Sequence, residues 1–188
     1  MSIAVAVKKA DQIVLATDSL VSFGASQVSA SNYQTDKMMR VGDSMVASTG
    51  WALYDNLLHD YLMRLETPPV FDNEAVIFRF FNQFWKKIKE DYSYVNDQCD
   101  DKNSPFADLD ANFLIVNNQG IFSVSSNLHV VKFEQFYTVG SGGEYAMGAL
   151  QTIYNGNLDA QTIAKKAVET AIALDTGCGG KINVHIIN

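Results

Sequence analysis

The chain has 188 residues, 47% of them hydrophobic and 19% charged, and a net charge of −7. A chain of this size buries roughly 70% of the surface its unfolded form exposes, so a single self-supporting domain over residues 1–188 is expected. The acidic balance argues against nucleic acid, which needs clustered Lys and Arg, and Cys99 and Cys178 make neither a disulfide framework nor a spaced metal motif.

The chain opens Met1-Ser2-Ile3-Ala4-Val5-Ala6-Val7, with a serine behind the initiator and an alternation that predicts a strand over 2–8. The apolar stretch Ile3–Val7 is short and is followed by charge, so no signal peptide is expected. No apolar run is long enough to span a bilayer, and a cytoplasmic protein is expected. A second strand, over 12–18, ends Ala16-Thr17-Asp18 before a turn containing Gly24. Strands follow over 38–41 and 44–49, the last running into Gly50.

A helix is predicted over 51–65, where Leu53, Leu57, Leu58, Tyr61, Leu62 and Leu65 fall at helical spacing. Pro68-Pro69 separates it from a helix over 73–92, with Asp72 or Asn73 as its cap. In that second helix Phe78, Phe81, Trp85 and Ile88 form a stripe, and Lys86, Lys87 and Lys89 suit the C-terminal end of the dipole. Asp91–Asp110 is polar and acidic, with Asp97, Asp100, Asp101, Asp108 and Asp110. Lacking the Gly and the spaced acids of an EF-hand loop, it reads as a solvated insertion. Strands over 111–117, 120–125, 128–133 and 135–140 follow, with hairpin turns at Asn118-Gln119-Gly120 and Ser126-Asn127. Helices over 143–154 and 159–175 and a strand over 181–187 complete a mixed α and β chain.

Several segments carry chemistry. Removal of Met1 would put a hydroxyl and a free α-amine on Ser2, a nucleophile carrying its own base. An α-amine titrates near pH 8, which suits a general base. Asp18 ends a strand, Lys37 opens Lys37-Met38-Met39-Arg40-Val41, and Gly50 follows Ser48-Thr49 at a strand-to-helix junction. Val139-Gly140-Ser141-Gly142-Gly143-Glu144-Tyr145-Ala146 is a glycine-rich turn entering a helix. Such a turn can hold phosphate, but it matches neither a P-loop nor a dinucleotide fingerprint. Cys178 would need a base to act as a nucleophile. His59, His129 and His185 show no pattern that supplies one, so Cys178 reads as a small core residue.

Taken in this order, these segments resemble the proteasome β-subunit family of N-terminal-nucleophile hydrolases. The likeness runs from Ser2 to Ile187 and is strongest to the simpler bacterial self-compartmentalising peptidases and the small bacterial proteasome homologues. The resemblance implies an α+β fold, a four-layer α-β-β-α sandwich of two antiparallel sheets flanked by helices. It implies Ser2 as nucleophile where the family usually has Thr, Lys37 as a buried cation paired with Asp18, and the Gly50 N–H as the oxyanion donor. It makes Ser141 the helper that bonds the terminal amine, and Asp175 a supporting acid with Cys178 standing where proteasome-type relatives have Ser. The Lys37-to-Gly50 spacing is one residue shorter than in typical β-subunits. No metal or organic cofactor is required.

The same resemblance implies a homo-oligomer of stacked rings, an unfolded polypeptide substrate and an ATPase unfoldase as partner. The aromatic content of the 73–92 helix, more apolar than a monomer comfortably covers, points the same way. Two alternatives stay open: a catalytically inactive ring subunit that keeps Met1, and an amidase of the same class acting on small amides.

Overall fold

The computed structural model describes residues 2–23, 26–28, 32–33, 36–92 and 109–187. Met1, Gly24, Cys99 and, of the acidic stretch, residues 93–108 lie outside them. In chain order the elements are β1 (Ala4–Lys9), β2 (Gln12–Thr17), β3 (Ser22–Phe23), β4 (Ser26–Gln27), β5 (Met38–Val41) and β6 (Ser44–Gly50), then α1 (Leu53–Met63) and α2 (Glu74–Asp91). They continue with β7 (Ala111–Asn117), β8 (Gly120–Val124), β9 (Val130–Phe133), β10 (Phe136–Val139), α3 (Gly143–Ile153), α4 (Ala160–Leu174) and β11 (Asn183–Ile187).

Two antiparallel sheets, ordered β10-β1-β2-β11 and β5-β6-β7-β8-β9, hold all the strands but β3 and β4, which pair with each other. In β1, Ala4 and Ala6 turn inward between the sheets, where they meet Leu15, Ala47, Leu114 and Val116. Ile3, Val5 and Val7 turn the other way, under α3 and α4. The second sheet buries its outer face against α1 and α2. The result is a four-layer α-β-β-α sandwich with one core between the sheets and one beneath each helix pair.

Local chemistry fixes the element ends. Asn73 caps α2, its side chain accepting from the Val76 N–H at 3.1 Å. Asn117 faces Gly120 across a two-residue turn. The Lys9 ammonium donates to the carbonyls of Tyr154, Gly156 and Leu158 at 2.7, 2.7 and 2.9 Å, closing the C-terminal end of α3.

Two expectations are corrected. The buried face of α2 is Ile77, Phe80, Phe81, Phe84 and Ile88, whereas Phe78 is 46% exposed. Phe78 lies one residue, about 100°, from the line Ile77–Phe81–Phe84–Ile88. The other phenylalanines of α2 are thereby covered within the chain itself, so the helix leaves Phe78 alone of them outside. The paired two-residue strands β3 and β4 had no counterpart among the predicted elements.

Candidate active site

The site lies at the end of the first sheet, where β1 begins and β2 stops. Ala4 is paired with Thr17 and with Val139, so Ser2, Asp18 and the Gly140 turn are brought to one edge by strand register alone. Ser2 is buried, and the peptide nitrogen of Ser2 donates to Ser141 Oγ at 3.3 Å. Gly142 N–H in turn donates to the Ser2 carbonyl at 3.4 Å. Gly140 has φ +108°, and a Cβ there would sit 2.2 Å from the Ser2 carbonyl oxygen. Only glycine lets the turn press this closely against the first strand.

Asp18 is fully buried, and its carboxylate is satisfied on both oxygens. Oδ1 accepts Lys37 Nζ at 2.7 Å and the Ile3 N–H at 3.1 Å. Oδ2 accepts the Gly179 N–H at 3.0 Å and the Leu20 N–H at 3.4 Å. Burying an ion pair is costly unless its remaining lone pairs are occupied, and here four donors occupy them. Asp18 therefore ties the residue after Ser2, the β2 exit and the loop before β11 to a single cation. Lys37 is 8% exposed and enters from the start of β5.

Ser2, Lys37, Gly50 and Ser141 line one cleft of about 620 Å³, with Trp51 at its edge and 72% exposed. Gly50 ends β6 with φ +122°, and an added Cβ would meet the Asp110 carbonyl at 2.2 Å. This conformation turns the chain from β6 into α1 beside the cleft. Asn112 and Gly140 are shared with an adjoining hollow of about 680 Å³ between β10 and α3, so the site continues beyond the immediate surroundings of Ser2.

Asp175, the residue after α4, accepts the Gly177 N–H at 2.8 Å and the Cys178 thiol at 3.2 Å. The Ser141 hydroxyl beside it, then Gly177, hold its carboxyl below the usual carboxylate range. A polar chain thus runs Ser2–Ser141–Asp175–Cys178, ending in the contact of the thiol with Asp175. Burial, reinforced by Asp175 and Asp18, pushes the Cys178 thiol up to about 12. A neutral thiol is no nucleophile, which fits its reading as a core residue.

All six residues singled out in the sequence, Ser2, Asp18, Lys37, Gly50, Ser141 and Asp175, gather here. The sequence reading missed Asp55, which lines the same cleft from the first turn of α1. It also missed the Gly179 N–H, which reaches Asp18 from 161 residues away. An acid in a first helical turn reads as a dipole partner, and a glycine amide carries no sequence signal at all. Among the described residues no group of His, Cys, Asp and Glu could hold a metal ion, and no helix is long and apolar enough to cross a membrane.

No family model matches the chain. The BPH protein of Thiobacillus denitrificans, solved in complex with epoxomicin, is 32% identical and superimposes with a TM-score of 0.89 over 98% of this chain and 97% of its own. The ATP-dependent protease subunit HslV of Caldicellulosiruptor saccharolyticus is 26% identical over 174 residues, 90% of this chain and 89% of that subunit. A proteasome subunit beta of Haloquadratum walsbyi is 33% identical over 70 residues, 36% of this chain and 28% of that subunit. With a relative this similar over almost its whole length, and with the two-sheet, four-helix architecture described above, the chain belongs to the proteasome-like peptidase family of N-terminal-nucleophile hydrolases.

Proposed function

We propose that the chain is a peptidase subunit whose nucleophile is the Ser2 hydroxyl, exposed together with its α-amine when Met1 is removed. The observation that carries this reading is the buried Lys37–Asp18 pair, joined to the backbone of Ile3 and opening on the same cleft as Ser2. In the proposed reaction Ser2 Oγ attacks the scissile carbonyl carbon and its proton passes to the α-amine. The nearby Lys37 charge disfavours protonation of the free amine and eases loss of the hydroxyl proton. Asp18 holds Lys37 in place through their 2.7 Å contact. The Gly50 N–H receives the oxyanion. Collapse breaks the C–N bond, and the ammonium returns its proton to the leaving amine. Water then hydrolyses the ester with the same amine as base. Ser141, backed by Asp175, positions the amine.

The continuation of the cleft past Asn112 and Gly140 favours an extended polypeptide over a small amide. As HslV and proteasome subunits are relatives, the reading extends to a single-domain cytoplasmic subunit of a homo-oligomeric ring, fed with unfolded polypeptide by an ATPase. Neither a metal nor an organic cofactor enters the proposed steps.

The test begins with the intact mass of untagged protein, followed by incubation with epoxomicin, the compound held by the Thiobacillus relative. The expected result is a mass short of one Met, an adduct on the peptide that begins at Ser2, and loss of peptide cleavage in Ser2→Ala by about 10³-fold or more. Cleavage by protein that retains Met1, or undiminished cleavage by Ser2→Ala, overturns the mechanism. A stable monomer at micromolar concentration in light scattering overturns the ring.

A further inference from the structure

Asp55 takes no part in the chemistry above, yet it lines the cleft that holds Ser2 and Lys37. It sits in the first turn of α1, where the helix dipole favours a negative charge. Its carboxylate does not cap the helix. It instead accepts the Ser48 hydroxyl across the turn between β6 and α1. Burial pushes its carboxyl up, while the Ser48 hydroxyl and the Lys37 charge pull it back.

The charges of the cleft do not balance. Its ionisable side chains are Lys37 and Asp55. Lys37 is matched by Asp18 at 2.7 Å, and among the described residues Asp55 makes no ion pair. Leu20, Val21 and Ala52 line the same cleft. A cleft that offers these apolar side chains together with one half-buried carboxylate suits a side chain with an aliphatic stem and a cationic head. An apolar substrate side chain would cover the carboxylate without pairing it, and an acidic one would meet a like charge.

We propose that this cleft is a specificity pocket for Lys or Arg on the acyl side of the scissile bond, with Asp55 as its counter-charge and Ser48 holding Asp55 in place. The oxyanion is assigned to the Gly50 N–H, and this residue shares the cleft with Ser48, two residues before it on β6, and with Asp55, in the first turn of α1. The proposal rests on the reading of Ser2 as nucleophile.

Two readouts separate it from that reading. The first is hydrolysis, by Met1-free protein, of blocked tripeptide coumarin amides with Arg, Leu or Glu next to the coumarin. The second is calorimetric binding of the matching tripeptide amides to Ser2→Ala, which needs no nucleophile. Arg is expected to exceed Leu by about tenfold or more in kcat/KM, and Glu by more. The Arg amide is also expected to bind Ser2→Ala more tightly than the Leu amide. Asp55→Asn, which keeps volume and the Ser48 contact, removes both preferences, and Asp55→Lys turns them toward Glu. Each ratio is taken within one preparation, so partial unfolding cannot mimic the result. Preference for Leu or Glu, an Arg-to-Leu ratio unmoved by Asp55→Asn, or equal binding of the three amides overturns the pocket. Absent hydrolysis with the Arg amide still preferred supports the pocket and overturns the nucleophile.

Discussion

The two outer layers of the sandwich are packed from different materials. Beneath α1 and α2 the core is aromatic, with Phe71, Phe80, Phe81, Phe84 and Phe113 linked by ring contacts and Phe122 in the same cluster. Beneath α3 and α4 it is lined with alanine at Ala146, Ala160, Ala164, Ala167 and Ala171. Large rings bury much apolar area each and dominate stability. Small side chains let a helix backbone sit close to the sheet, and they leave no slack. An added Cβ at Gly142 would come within 2.8 Å of both Ala171 Cβ and Cys178 Sγ. Ser2, Asp18, Ser141 and Asp175 all belong to the alanine side. The aromatic half supplies bulk stability and lends Lys37 and Gly50 from the ends of β5 and β6, while the alanine half positions the other four site residues.

The contrast breaks most sharply at Asp18. Asp18→Ala leaves Lys37 as a buried, unmatched cation and strips an acceptor from Ile3, Leu20 and Gly179. A loss of about 3–5 kcal/mol in denaturant unfolding is expected, together with loss of peptide cleavage. The double variant Asp18→Leu with Lys37→Met should regain much of that stability and none of the activity, because it removes the desolvated charge and the electrostatics together. Equal instability of single and double variants would mean that the pair is not the source of the cost.

On the aromatic side, Phe81 is fully buried and touches Phe80, Phe84 and Phe113 with ring centroids 5.2, 6.2 and 4.7 Å away. Phe81→Ala should cost about 3–5 kcal/mol with kcat/KM per folded molecule unchanged. A matching fall in kcat/KM would show that the two halves are mechanically coupled. Gly140→Ala sharpens the contrast from the other direction. Its Cβ would collide with the Ser2 carbonyl in a backbone region closed to alanine. We expect a cost of about 2 kcal/mol and a fall in kcat larger than that stability loss explains, since the displaced atom adjoins the nucleophile.

How much of this was legible in the sequence follows the same division. The strands and their hairpins could be read because alternation and turn chemistry are local, as at Asn117–Gly120. Helix α2 was located and Phe81 and Ile88 were placed on its inner face, but Phe78 and Trp85 were set there in place of their neighbours Ile77 and Phe84. Its run Phe78-Arg79-Phe80-Phe81 offers several apolar stripes, and only the sheet beneath decides among them. Asp18 and Lys37 were found through a family pattern, and their closeness is a tertiary fact between residues 19 apart. Asp55 was passed over because its charge has an ordinary local explanation in the helix dipole. Its contact with Ser48 depends on the angle at which β6 turns into α1 at Gly50, which no local pattern encodes.

The smallest effect concerns Cys178, where the alanine-lined core meets the polar chain behind Ser2. Burial and the neighbouring carboxylates push its thiol up to about 12, against 9.0 for the exposed group. Between these values the unfolded chain has released its proton while the folded chain keeps it, so this group's contribution to stability is complete below pH 9 and declines as pH rises toward 12. Iodoacetamide at pH 8 should leave Cys178 unmodified in the folded protein and label it once denaturant is added, read by peptide mass mapping. Cys178→Ser restores a stronger donor to Asp175 and should change stability by less than about 1 kcal/mol. If it raises kcat while leaving KM alone, the Asp175–Ser141 chain acts on the proton at the amine of Ser2, and the thiol is a weak link in a positioning device. If it changes stability alone, Cys178 belongs to the packing of α4, and the positional half of the molecule ends at Asp175.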